Sequence, residues 1–365
     1  MLGDGLLPEE SPATINNDNN KDKKRSIDET DSNCKRVKKE NKEFDRISEL
    51  PDEIIIHILS LLSLRGTAAT SVLSPRWSDL WKHTPNLDFG CIHNKTTKIK
   101  HTSWNADTSK YVKMVHSIIE LHQSLSLKKF KICLYINNSA QSVIAKWLEF
   151  VWSRHVERLY LNLRCLRPKH RVVLEGLLGE IKPTKYLKAL SLKNMKVGGE
   201  DISLLLRNCP LLKELSITSS SLTSDVHVSG ATLALKHLRI CRCTYKGSVV
   251  NISVPNLSGV NVDARTGKLF FENVPRLVVA RFRIQRPKYT MHKLASALSC
   301  FTSQLQILIL SLFNLEIILG KGFPQMPNLK KLIVANKTVY EHGCLLPITY
   351  VIAACPRLEK ATFKI

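Results

Sequence analysis

The sequence predicts an α/β protein in which a short three-helix module leads into a long solenoid of parallel strands. Three observations predict it. A motif of one apolar residue, two variable residues, a second apolar, one variable and a third apolar recurs ten times from Leu127 to Phe363. Each recurrence supplies one short strand, with a helix or turn on the return. Ahead of the array, residues 44–89 hold three short helical segments with more apolar surface than they can bury among themselves. The stretch before that, residues 1–43, is rich in Asn, Asp, Lys and Glu and has no aromatic residue. It cannot bury enough surface to offset chain entropy and is expected to be a disordered tail.

The tail carries two basic clusters, Lys23-Lys24 and Lys35-Arg36-Val37-Lys38-Lys39, ten residues apart. Lys23, Lys24, Lys35, Arg36, Lys38 and Lys39 are therefore expected to form a bipartite nuclear import signal, and the nucleus is the expected location, with the cytoplasm as a second one. The tail does not carry the chain's charge, however. Of 54 Lys and Arg and 31 Asp and Glu, residues 1–89 hold 13 and 16, which leaves 41 basic and 15 acidic residues in residues 90–365.

In the module, Pro51 suits a helix start and Asp52 and Glu53 place negative charge in the first turn. Ile54, Ile55, Ile58, Leu59 and Leu62 then recur at three- and four-residue spacing, an apolar face too wide to leave in water. Ser63 and Gly66 interrupt this helix. A second helix is expected over Thr67 to Val72, and Ser74-Pro75 is an N-cap followed by a proline at the first helical position, opening a third helix with Trp77 and Trp81 four residues apart.

These residues resemble an F-box. The matching elements are Leu50-Pro51 with Ile54, the run Ile58-Leu59-Ser60-Leu61-Leu62, and Thr70-Ser71-Val72-Leu73-Ser74 leading into Arg76-Trp77 and Leu80-Trp81. The resemblance implies a docking surface for the Skp-type adaptor of a cullin-based SCF ubiquitin ligase, with Leu50, Pro51, Ile54 and Ile58 touching the adaptor. Two positions depart from the plant pattern. Pro75 stands where a basic residue is usual, and Gly66-Thr67-Ala68-Ala69 is less polar than the usual second-helix start.

Residues 90–126 are expected to be a polar, turn-rich linker over Gly90 to Ser109 and an amphipathic helix from Tyr111 to Leu121. Residues 127–365 form the array of about ten units, whose starts lie 20 to 31 residues apart, as in leucine-rich repeats of irregular length. Cys209-Pro210, Pro255, Pro275, Pro327 and Cys355-Pro356 fall just before unit starts, where proline is expected to end the preceding helix. Helical returns are expected at Val143 to Trp152 and Ile202 to Arg207. As a set the repeats are similar to those of plant F-box proteins, without an evident FBD segment.

Alternation along each strand points Lys129, Lys131, Arg158, Lys193, Arg239, Arg281, Arg283, Lys331, Lys360 and Lys364 out of the concave sheet, against Glu214 and Asp263. A basic groove of this kind attracts an acidic or phosphorylated target. Arg158, Lys193, Arg239, Arg281, Arg283 and Lys331 are the expected target-binding residues, with Arg239, Arg281 and Arg283 at the centre.

Other classes of function find less support. No Gly-rich phosphate loop, G-x-S-x-G elbow or H-E-x-x-H pair occurs, so no catalytic residue and no cofactor is expected. The ten cysteines include no C-x-x-C pair; they are expected to be reduced thiols, with no metal site. No apolar run is long enough to span a bilayer, and no membrane partner is expected. The basic body would gain phosphate contacts on nucleic acid, but no zinc-finger spacing, recognition helix or stacking platform accompanies it. The expected function is a non-catalytic substrate-recognition subunit of an SCF-type ligase. A non-proteolytic interaction scaffold and a basic nucleic-acid-associated protein are the alternatives.

Overall fold

The computed structural model describes residues 47, 49–91, 101–135, 141–165, 171–178, 183–246, 249–263, 268–284, 296–312, 323–336 and 346–364. The nuclear-signal residues Lys23, Lys24, Lys35, Arg36, Lys38 and Lys39 lie outside the described residues.

Three helices open the described fold: α1 (Asp52–Leu61), α2 (Leu64–Thr70) and α3 (Pro75–Leu80), followed by a 3-10 turn at Trp81–His83. Pro51 is the residue just before α1 rather than its first member, and its carbonyl accepts from the N–H of Ile54 at 3.0 Å and of Ile55 at 3.1 Å. Ser63 ends nothing by itself; its hydroxyl caps α2, accepting from the Gly66 N–H at 3.1 Å, so α2 starts three residues earlier than expected and contains Gly66. Ser74 caps α3 as expected, accepting from the Trp77 N–H at 3.3 Å with Pro75 at the first position. Ile55, Leu59, Trp77 and Leu80 form the module's own small core. Arg76 reaches back from α3 to the Asp52 carboxylate and to the Leu50 carbonyl, tying the third helix to the start of the first.

The long sheet has eleven parallel strands, which lie in space in the order they occur in the chain. They are β1 (Asn86–Cys91), β2 (Lys129–Tyr135), β3 (Arg158–Arg164), β4 (Ala189–Lys193), β5 (Glu214–Thr218), β6 (His237–Cys241), β7 (Gly259–Asp263), β8 (Val279–Arg283), β9 (Ile307–Leu312), β10 (Lys331–Asn336) and β11 (Lys360–Lys364). Each of the ten expected units supplies one strand, β2 to β11. The eleventh was not expected: β1 begins inside the three-helix stretch, with two residues between it and the 3-10 turn, and pairs with β2 through Asn86–Lys129, Leu87–Phe130 and Asp88–Lys131. Leu87 and Phe89 are buried in the same continuous core as the repeats.

Within the described residues, the segment expected to be a linker is helical from His101 onward. Helix α4 (His101–Leu121) begins ten residues before the expected Tyr111. The stretch His101 to Lys110 is polar but contains neither Gly nor Pro, so polarity alone did not stop the helix. The Tyr111 hydroxyl donates to the Phe89 carbonyl at 2.8 Å, and His122, buried just after the helix, bonds the Thr84 carbonyl through Nε2 at 2.9 Å. The Gln123 N–H donates to the Lys82 carbonyl at 2.9 Å, and Asn86 Nδ2 donates to the Ser60 carbonyl at 3.0 Å. These bonds weld the module to the head of the sheet.

The returns are helical where expected, at α5 (Gln141–Ser153) and α7 (Gly199–Asn208), and also at α6 (Glu175–Leu178) and α8 (Leu346–Ala353). In the middle of the array they are strands instead. Val226–Ser229, Val249–Ser253 and Lys268–Glu272 form a second parallel sheet, and Lys196–Val197, Ser221–Leu222 and Thr244–Tyr245 a third. The units starting at Leu212, Leu235, Leu257 and Leu277 are 23, 22 and 20 residues apart, the tightest in the chain, and the returns at Val226–Ser229 and Val249–Ser253 alternate buried with exposed or half-buried residues as strands do. Pro210 and Pro356 follow helices that end two and three residues earlier, as expected, but all five prolines share a second role. In five units the N–H of the opening leucine donates to the carbonyl three residues earlier, with Pro210, Pro255, Pro275, Pro327 or Pro356 as the second residue of the turn. Pro255 and Pro275 follow strands, so they shape turns rather than stop helices.

Candidate functional site

Helix α1 turns 100° per residue, so its apolar residues form two adjacent stripes. Ile55 and Leu59 are fully enclosed against Trp77 and Leu80. Ile54, Ile58 and Leu61 form the outer stripe: Ile54 is 46% exposed, Leu61 is 73% exposed and Ile58 is half-buried. Leu62, Val72 and Leu73 add exposed apolar surface at 41%, 85% and 64%. Of the expected adaptor residues, Pro51 and Ile54 are exposed, while Leu50 and Ile58 are half-buried. Sequence reasoning passed over Leu61, Val72 and Leu73 as contact residues. Their signal was present in the motif, but nothing in the sequence said which side of each helix the small core would use.

The second candidate lies on the open face of the long sheet. Register places Arg239, Asn261 and Arg281 side by side on β6, β7 and β8. Arg283 follows two residues after Arg281 on the same face. Together with Lys193 at the end of β4, these cations line one cavity of about 220 Å³. Arg242, just past β6, is a fifth cation in the wall. The expected centre at Arg239, Arg281 and Arg283 is thus a single concavity, and Lys193 belongs to it. Arg158 and Lys331 lie on the same sheet outside that cavity. Arg158 is engaged already, donating to the Tyr160 hydroxyl at 3.0 Å and to Glu214 at 3.2 Å. Near the first edge, Lys129 and Lys131 both hold Asp88, at 2.8 and 3.1 Å.

Asp263 departs from its expected place on the solvent face. Its side chain is fully enclosed, accepts from the Arg242 N–H and stands 3.8 Å from Arg283 Nε. It acts from behind the cavity, fixing two members of the wall. Arg242 was invisible to strand alternation because it follows the strand. It has φ +56°, and with Asn194 at +63° and Ser219 at +52° it forms a column of left-handed residues that end β4, β5 and β6 at one level. Ser219 lines the cavity as well.

The electrostatics are those of crowded like charge. Burial, with the charges of Arg164, Arg242 and Arg239 nearby, pushes the Lys193 ammonium below its ordinary value. Burial and the Asp263 carboxylate push the Cys241 thiol up, so at neutral pH the cavity floor carries a neutral thiol that donates to Asn261 Oδ1 at 3.0 Å. The expectation of reduced thiols needs one correction. Cys133 is disulfide-bonded, whereas Cys165, Cys209, Cys241, Cys243, Cys300 and Cys355 are reduced thiols. Among the described residues no group of three His, Cys, Asp or Glu is placed to hold a metal, and no helix is long and apolar enough to cross a membrane.

Comparison with known proteins matches residues 47–89 to the F-box domain and residues 177–365, more than half the chain, to the At1g61320/AtMIF1 LRR domain. Relatives in Arabidopsis thaliana are similar along most of the chain. The FBD-associated F-box protein At1g66310 is 24% identical over 88% of this chain and 70% of its own length. The F-box/FBD/LRR-repeat protein At3g26920 is 27% identical over 77% and 68%, and the F-box/LRR-repeat protein At3g26922 is 26% identical over 65% and 81%. The F-box match falls on the helical head and the LRR match on the parallel sheet of repeats, and the chain belongs to the plant F-box/leucine-rich-repeat proteins.

Proposed function

We propose that this protein is the substrate-recognition subunit of an SCF-type ubiquitin ligase, docking a Skp-type adaptor, and through it a cullin, with its F-box and holding a target protein on the open face of its repeats. The observation that carries the reading is the outer apolar stripe of α1. Ile54 and Leu61 stay in water although Ile55 and Leu59, on the same helix, are fully enclosed. Exposed aliphatic side chains on so small a module favour a partner that covers them. Leu50, Pro51, Ile54 and Ile58 remain the proposed contacts, and Leu61, Val72 and Leu73 join them. On this reading the chain itself does no chemistry. It raises the local concentration of target lysines near a ubiquitin-charged enzyme, which lowers the entropic part of the barrier. The nuclear signal of the tail would place this activity in the nucleus.

The test is a pull-down of the purified full chain with a Skp-type adaptor, comparing wild type with a Leu50→Ala, Pro51→Ala, Ile54→Ala variant. Wild-type binding lost in the variant, with unfolding transitions matched, supports the reading. Absence of wild-type binding removes it, and the repeat sheet then stands as an interaction scaffold without a ligase.

A further inference from the structure

Five cations gathered around one small cavity require a counter-charge, and the cavity's shape narrows what can supply it. Its volume of about 220 Å³ is below the roughly 300–1,000 Å³ of pockets that enclose a drug-sized molecule. It suits a head group rather than a whole ligand. Arg239 and Arg281 are separated by two strand spacings, about 10 Å, with the shorter Asn261 between them. The two guanidinium groups therefore flank a gap. Lys193 and Arg283 approach from the next level along the strands, and the Thr218, Ser219 and Ser311 hydroxyls complete the wall.

Donors on several sides of one gap match a group that accepts in several directions. A carboxylate is planar and is satisfied by a single bidentate Arg, so it would engage only part of this wall. A phosphate monoester carries close to two charges and three strong acceptor oxygens. Among the described residues no aromatic side chain lines the cavity to offer a nucleobase a stacking surface. Asp263 does not compete, because it is enclosed behind the wall and engages Arg242 and Arg283. We propose that the cavity bounded by Lys193, Arg239, Arg242, Arg281 and Arg283 is a binding site for a phosphate monoester, borne by a phosphorylated serine or threonine of the target. This rests on the open sheet face being the target surface, as proposed above, and it names the chemical state in which the target is held.

The experiment uses the purified full chain at neutral pH and about 0.1 M salt, an ionic strength that leaves contact electrostatics measurable. Three probes are titrated calorimetrically: a seven-residue Gly/Ala peptide with a central phosphoserine, the same peptide with Glu in its place, and O-phosphoserine alone. The expected result is at least tenfold tighter binding of the phosphopeptide than of the Glu peptide. That preference should be lost in Arg239→Gln/Arg281→Gln and weakened at least fivefold in Arg281→Lys, which keeps the charge but not the fork. Lys360→Gln/Lys364→Gln, the same charge loss on β11 at the far end of the sheet, should bind as wild type does. A phosphopeptide tighter than O-phosphoserine points to a protein-borne ester; equal affinities point to a free small phosphate ester, with the site itself upheld. Equal binding of phosphoserine and Glu peptides, or equal losses in the cavity and β11 variants, overturns the proposal. Adaptor binding is read separately: its failure with phosphopeptide binding intact removes the ligase reading alone, and the reverse removes only the phosphate site.

Discussion

The helical head and the repeat sheet present opposite kinds of surface, and they acquire them by opposite routes. The head has an apolar surplus: α1 carries two stripes where its small core can enclose one, so Ile54 and Leu61 remain outside. The sheet has a charge surplus. Its apolar positions are consumed by a continuous core, and the side chains left over on the open face, drawn from units tens of residues apart, include the cations around Asn261. A surface of the first kind forms within ten residues of chain. The second kind exists only once at least five strands have stacked, which makes it a property of the assembled array.

That contrast yields tests in descending size. The sharpest separates the two stripes of α1. Leu59→Ala should cost about 3 kcal/mol of stability by opening a cavity in a sealed site, read as a lowered denaturant midpoint. Leu61→Ala should change stability by no more than about 0.5 kcal/mol and yet weaken adaptor capture. Equal destabilisation by the two would mean that the outer stripe is part of the core.

The second test exchanges the regions' responses to salt. Between 0.1 and 1 M NaCl the Debye length falls from about 10 to about 3 Å. Capture through the basic cavity should weaken at least tenfold over that range, whereas adaptor docking through aliphatic contacts should move by less than threefold. Matching salt dependence in the two assays would erase the distinction drawn here.

A third test concerns Asp263, which serves the cavity without lining it. Asp263→Asn should lower stability by about 1–3 kcal/mol, because the Arg242 N–H and Arg283 lose the buried carboxylate they face. It should also loosen anion binding despite removing a negative charge. Tighter binding in that variant would show that charge balance, not the fixing of Arg242 and Arg283, is what Asp263 contributes.

The smallest effect lies where the regions meet. Burial opposes ionisation of Asp88, but Lys129, the Gly90 N–H and Lys131 together hold its carboxyl below the ordinary range. A carboxyl lowered in the folded state contributes stability above its unfolded value, near pH 4, and that contribution is lost as pH falls through the lower folded value. Asp88→Asn should therefore cost less than about 1 kcal/mol at pH 7, since the pair is partly exposed. The cost should vanish at low pH in a denaturation series.

The strand at each of the ten units was legible because three enclosed apolar positions at fixed spacing have few other uses. The cations of the open face were legible from the same alternation. Alternation stops at the strand's end, which is why Arg242 was missed, and it assumes that an outward position is exposed, which is why Asp263 was misplaced. Nor could it reveal that Arg158 is engaged by Glu214, a partner two strands away. The module's last residues hid β1 because Leu87 and Phe89 look like the tail of a helical domain until β2 is beside them. Polar residues hid the first half of α4, and short returns in the middle of the array hid a second sheet behind the first.

The weld between head and sheet gives the molecule a built-in ruler. Strand β1 belongs to the ladder that carries the basic cavity, and only Thr84 and Pro85 stand between it and the last helical turn of the module. From β1 to β6 there are five steps of about 4.8 Å, so the cavity sits roughly 25 Å along the sheet from the head. On the proposed reading, an adaptor on the head would find a captured target at a distance set by backbone hydrogen bonds, not by the statistics of a flexible linker. Which lysines of a target become acceptors would then depend on how far each lies from its phosphorylated residue. Moving that residue along the target should move the modified lysine with it.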